Sequence, residues 1–92
     1  MKTDKDFQTT DAFLVAYLLH WGYAPTISYL DTTVIFSYPE WSKDKFFRAK
    51  LKAYQKGSAT ADLARVREIY DDIRHQIYVF HKEGKQLLLW NG

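Results

Sequence analysis

Residues 10–21 read T-D-A-F-L-V-A-Y-L-L-H-W and run into Gly22. Drawn as a helix at about 100° per residue, this stretch puts apolar side chains on every side rather than in one stripe. A helix that is apolar all round must be covered from several directions, and it is too short to cross a bilayer, which needs roughly twenty residues. The stretch therefore predicts a central, buried helix. Thr10 or Thr9 is expected to cap it, and Asp11 falls in the first turn, where the helix dipole favours a negative charge. Gly22 suits the left-handed position past the last turn. Phe7 lies close enough upstream to staple the first turn.

Two short runs follow, 26–30 (T-I-S-Y-L) and 33–38 (T-V-I-F-S-Y), with Asp31-Thr32 between them. Pairing Leu30 with Thr33 sets Tyr29 opposite Val34 and Ile27 opposite Phe36. One face then carries those four apolar side chains, and the other carries Thr26, Ser28, Leu30, Thr33, Ile35 and Ser37. A one-residue slip would mix the faces, so the pattern predicts a β-hairpin with a two- or four-residue connection. Asp-Thr is a weak two-residue turn, which favours the longer version. A lone hairpin is unstable in water, so its apolar face is expected against the first helix.

Pro39 ends the second strand, and a second helix is expected from about 40–42 to Gly57. Its stripe is Phe47, Leu51 and Tyr54, widened by Phe46 and Ala53, while Lys45, Arg48, Lys52 and Lys56 gather on roughly the opposite side. After Gly57-Ser58-Ala59, Thr60 is expected to cap a third helix running to about 81 or 82, with Gly84 just beyond. Leu63, Val66, Tyr70, Ile73, Ile77 and Phe80 step by three and four, the spacing of a seam that packs lengthwise on another helix. The most economical partner across a short loop is the second helix, in an antiparallel helical hairpin. The distal part of the seam, Ile77 to Phe80, is longer than that partner and needs the first helix, the tail or a second subunit. Leu87-Leu88-Leu89-Trp90 reads as a third strand on the hairpin edge or as a docking peptide. The expected architecture is α+β: one domain over 1–92, with a core at about 7–82 and an apolar tail at 85–92.

Composition narrows the setting. A chain of 92 residues buries only about 60% of its unfolded surface, yet three Trp, seven Tyr and six Phe supply rings that each bury about 150–250 Å². There is no cysteine, which removes disulfides and thiolate metal sites and suits a reducing compartment. The start M-K-T-D-K-D-F mixes Asp with Lys and lacks a clean basic n-region and a small-residue cleavage site. These features predict a cytoplasmic protein without a membrane span. The net charge of +2 hides an asymmetry, because residues 41–56 hold Lys43, Lys45, Arg48, Lys50, Lys52 and Lys56 against Asp44 alone. Such segregation bears on partners rather than on fold.

No residue set reads as catalytic. The histidines His20, His75 and His81 form no ligand pattern such as H-x-H or H-E-x-x-H. Asp71 and His75 are one helical turn apart, but Asp71 is as well placed to pair with Arg67 or Arg74. The serines have turn, strand or cap roles, without a nucleophile elbow. The four glycines stand alone at element ends and make no phosphate-cradling loop. The expectation is a non-enzymatic interaction module without metal or cofactor. Lys45, Arg48, Lys52 and Lys56, with Trp41 near Arg48, would address an anionic partner. Ile77, Phe80, Leu87, Leu89 and Trp90 would contact a protein partner or a second copy. A nucleic acid tracked along its phosphates by the same row is the alternative.

The opening Phe7-x-Thr9-Thr10-Asp11-x-x-Leu14-Val15-Ala16-Tyr17-Leu18 through Gly22-Tyr23, the hairpin ending near Val34-Ile35-Phe36, and the later pair Ile77-Tyr78 resemble a family of small uncharacterised proteins. These occur in bacterial, archaeal and phage genomes and start T-x-D-x-x-L-A-A-Y-L-x-x-x-G-Y. The likeness covers about residues 7–78 and excludes the tail. It implies a shared fold, since the motif consists of a cap, a buried helix and a C-cap glycine, and it carries no catalytic residue across. A phage or mobile-element setting is what the resemblance implies.

Overall fold

The computed structural model describes residues 7–88, in the order β1 (Gln8–Thr9), α1 (Ala12–His20), β2 (Thr26–Leu30), β3 (Thr33–Ser37), α2 (Lys45–Lys56) and α3 (Leu63–Glu83). It is an α+β arrangement of three helices with one three-stranded antiparallel sheet. In each helix the N-cap is an aspartate, Asp11, Asp44 or Asp62. The expected caps Thr10 or Thr9 and Thr60 lose to carboxylates one or two residues further on. Asp11 accepts from the N–H of both Phe13 and Leu14, at 3.0 and 3.2 Å, and Asp62 accepts from Ala64 and Arg65. Thr9 accepts the Asp11 N–H instead. Gly22, Gly57 and Gly84 each follow a helix with positive φ.

Leu30 pairs with Thr33, Tyr29 with Val34 and Ile27 with Phe36, the register that separates the two faces. The connection is the short one: Asp31 takes φ +57°, a left-handed geometry that Asp tolerates better than most residues. The sheet order is β1-β3-β2. Its third strand therefore comes from the N-terminal side, Gln8 and Thr9 opposite Ser37 and Phe36. Among the described residues, no strand follows α3.

Five consecutive residues of α1, Leu14 to Leu18, are buried, and they divide between two clusters. Val15 and Ala16 meet Val34 and Phe36 of the sheet, Val66 and Ile73 of α3, and Leu87. Leu14, Tyr17 and Leu18 meet Tyr38 and Phe47, with Leu51 and Tyr54 of α2 packed beside them. The expected helical hairpin does not form: α2 and α3 make no seam with each other, and the seam of α3 lies on α1 and the sheet. The reason is the all-round apolar surface of α1, which gives each amphipathic helix a larger hydrophobic face than the other could. Leu63 and Phe46 lie outside the core at 74% and 72% exposed, so Phe46 does not widen the α2 stripe.

Of the tail, Leu87 and Leu88 fold back on the chain. Leu87 is buried in the α3 cluster, its N–H donating to the Tyr29 hydroxyl at 3.0 Å. Gln76 holds Leu88 by both backbone groups.

Candidate functional site

The cationic row is set by what anchors the opposite side of α2. Asp44 Oδ1 accepts the Phe47 N–H at 2.9 Å, and Phe47 is fully buried with its ring 5.1 Å from Tyr38 and 5.3 Å from Tyr23. The Tyr17 hydroxyl donates to the Lys50 carbonyl at 3.1 Å. The Tyr54 hydroxyl donates to Asp11 Oδ2 at 3.0 Å, which ties the start of α1 to the end of α2. Burial, then the hydrogen bond and negative charge of Asp11, push the Tyr54 hydroxyl up to about 12. The Lys50 ammonium sits 3.5 Å from the centre of the Trp21 ring, a cation–π contact. Lys50 therefore does not belong to the outer row.

With that rotation fixed, Lys45, Arg48, Lys52 and Lys56 are all exposed. Among the described residues no carboxylate lies within ion-pair distance of any of them. Asp44, four residues before Arg48, is occupied as the cap. Lys45, Arg48 and Lys52, with Ala49, Leu51 and Gln55, line an open depression of about 430 Å³. Trp41 does not join the row. It is half-buried, edge-on to Tyr23 at 4.9 Å, and closes the junction between β3 and α2 with the Tyr38–Ser42 turn. Phe46, expected to widen the buried stripe, is largely exposed; about 100° round the helix from Lys45, it stands on the flank of α2 and does not line the depression.

The residues expected at a protein interface are mostly used within the chain. Leu87 is buried, and Ile77 and Phe80 pack against the same cluster, Phe80 with its ring 4.6 Å from Tyr29. Of the three partners expected for the distal seam, the first helix, the tail or a second subunit, the described residues put Leu87 of the tail against it, together with the sheet. Leu89 and Trp90 lie outside the described residues.

A second concavity of about 350 Å³ lies where α1 meets α3, lined by Phe13, Leu63, Arg67, Tyr70, Asp71 and Arg74. Phe13 stands edge-on to Tyr70 at 5.2 Å, and the Arg74 guanidinium lies over the Tyr70 ring. Asp71 opens into this concavity, whereas His75 lines another, with Gln76, Val79, Lys85, Gln86 and Leu88. The two do not share a site. Among the described residues no group of three His, Asp or Glu side chains is placed to hold a metal ion, and no helix is long and apolar enough to cross a membrane. His81 Nε2 is 2.7 Å from the Thr32 carbonyl oxygen, pinning the hairpin tip to the end of α3. His20 lies edge-on to Trp21. Compared with known protein families, with curated proteins and with solved structures, the chain matches none of them.

Proposed function

We propose that this protein is a small non-enzymatic binding module whose working surface is the outer face of α2, docking on an acidic face of a protein partner. The supporting observation is the row itself, without a carboxylate in ion-pair distance among the described residues: Lys45, Arg48, Lys52 and Lys56 are exposed together on a helix whose other side is locked by Phe47, Tyr17 and Tyr54. Four like charges held in one orientation raise the encounter rate with an anionic surface and fix its register, and the effect weakens with salt.

A nucleic acid is the second reading, favoured by the exposed Phe46 ring on the flank of α2, on which a base could stack. Titration against polyglutamate and against single-stranded DNA, at low and high salt, tests both. The expected result is salt-sensitive binding of polyglutamate that falls by at least about tenfold in K45E/R48E/K52E, with an unchanged melting curve. A triple variant that binds as the natural chain does overturns the proposal. Tighter binding to the DNA, lost in Phe46→Ala, moves the function to nucleic acid.

A further inference from the structure

We infer that the open edge of β2 is a self-pairing surface, on which a second copy of this chain adds its own β2 to make a continuous six-stranded antiparallel sheet. The argument starts from which backbone groups point outward. Tyr38 N–H donates to the Phe7 carbonyl at 3.0 Å, so Tyr38, and with it Phe36 and Val34, directs its backbone groups away from β2. Neighbouring residues in a strand point opposite ways, which turns Thr33, Ile35 and Ser37 toward β2. Their partners Leu30, Ser28 and Thr26 therefore bond inward. Ile27 and Tyr29 are left with N–H and C=O groups aimed off the sheet, and among the described residues nothing accepts from or donates to them.

Proteins normally protect such an edge with charge, proline or a bulge. Here residues 26–30, T-I-S-Y-L, hold neither charge nor proline, and every one of them pairs in register with β3. Thr26, Ser28 and Leu30 are exposed, Leu30 at 64%. The other edge, β1, has only two residues.

The edge also contains its own complement. A twofold axis through Ser28 sets Ile27 opposite Tyr29 of the partner subunit, and Tyr29 opposite the partner's Ile27. These are the outward-facing residues, so all four outward groups of each chain find a mate. Centring the pair on Ile27 would bring Tyr29 onto Pro25, which has no N–H. Centring on Tyr29 would bring Ile27 onto Asp31, which has already turned away with φ +57°. The Ser28 axis alone keeps both hydrogen-bonded pairs inside the strand. It also continues the apolar face of the sheet across the junction, and it places the exposed Leu30 beside Thr26 of the partner subunit.

The register makes one position diagnostic. At the axis the two Ser28 residues form a non-hydrogen-bonded pair, with Cα atoms about 4.5 Å apart, inside the range a disulfide spans. The chain has no cysteine, so Ser28→Cys carries a single thiol. In a glutathione redox buffer S28C is expected to become a covalent dimer, whereas Ser58→Cys, in the exposed linker, stays monomeric. Sedimentation equilibrium of the natural chain is expected to show a reversible dimer. In Ser28→Lys its dissociation constant rises by at least about tenfold, since like charges then face each other, and an equimolar mixture with Ser28→Asp restores the association. A chain that stays monomeric, with S28C linking no faster than S58C, overturns the inference. So does a dimer indifferent to Ser28→Lys, which would use another face, and so does a dimer that appears only after removal of residues 89–92, which would give the edge to the chain's own tail.

Discussion

Tyr38 is fully buried, yet its hydroxyl has no hydrogen-bond partner among the described residues. Burial pushes its ionisation well above the ordinary tyrosine range. An unpaired buried hydroxyl costs its desolvation without return, so Tyr38→Phe is expected to stabilise the fold by about 1 kcal/mol, read from the urea midpoint at neutral pH. A loss of stability would mean that the hydroxyl has a partner. The same reasoning sets the alkaline limit. Tyr17, Tyr38 and Tyr54 are all raised in the folded state, so their contribution is complete below the ordinary value near 10. For Tyr54 it is lost as pH climbs from there to about 12, because the unfolded chain ionises first. Tyr54→Phe is expected to lose less stability over that interval than the natural chain, and parallel pH profiles would contradict this. Asp11→Ala removes both the α1 cap and the Tyr54 acceptor, and is expected to cost about 1–2 kcal/mol by denaturant titration. That cap was legible only approximately. Thr9, Thr10 and Asp11 are all competent, and the choice among them turns on Tyr54, far away in sequence, which takes the second carboxylate oxygen.

At the level of elements, local patterns read well wherever a single face was buried. The hairpin register followed from separating apolar from polar side chains, because a one-residue slip exchanges the faces. Its tight turn did not, because the left-handed Asp31 is a conformation that composition disfavours without excluding. The two-residue β1 is too short to show any alternation, so the sequence points to the apolar tail for a third strand instead. Phe46 and Phe47 mark the limit of helical periodicity, since the two are adjacent and aromatic while only Phe47 is buried. The spacing puts Phe47 in the stripe with Leu51 and Tyr54, but how far that stripe widens toward Phe46 is decided by the rotation that Tyr17 and Tyr54 impose, which no local pattern carries. Phe47→Ala is expected to cost about 3–5 kcal/mol, and Phe46→Ala under about 0.5 kcal/mol. Equal costs in thermal melts would mean that α2 is turned differently from the position that exposes Lys45, Arg48 and Lys52.

For the molecule as a whole, the helix over 12–20 organises everything else. Its two sides carry different neighbours, the sheet with α3 on one and α2 with Tyr38 on the other, and for that reason α2 and α3 do not pair. The heptad-like spacing of α3 showed a seam but not its partner, because spacing specifies the shape of a stripe and leaves open what fills it. The candidate surface was legible as charge, since Lys45, Arg48, Lys52 and Lys56 share a face by arithmetic alone. Its boundaries are set by packing, which takes Trp41 into the junction and leaves Phe46 outside the core. Native-state hydrogen exchange tests the central claim most directly. If α1 is the enclosed axis, the amides of Leu18 and its neighbours in the last two turns exchange only through global unfolding, with the same free energy as denaturant unfolding, while α2, packed on one side, opens at lower free energy. Amides of α1 that exchange as readily as those of α2 would contradict the account.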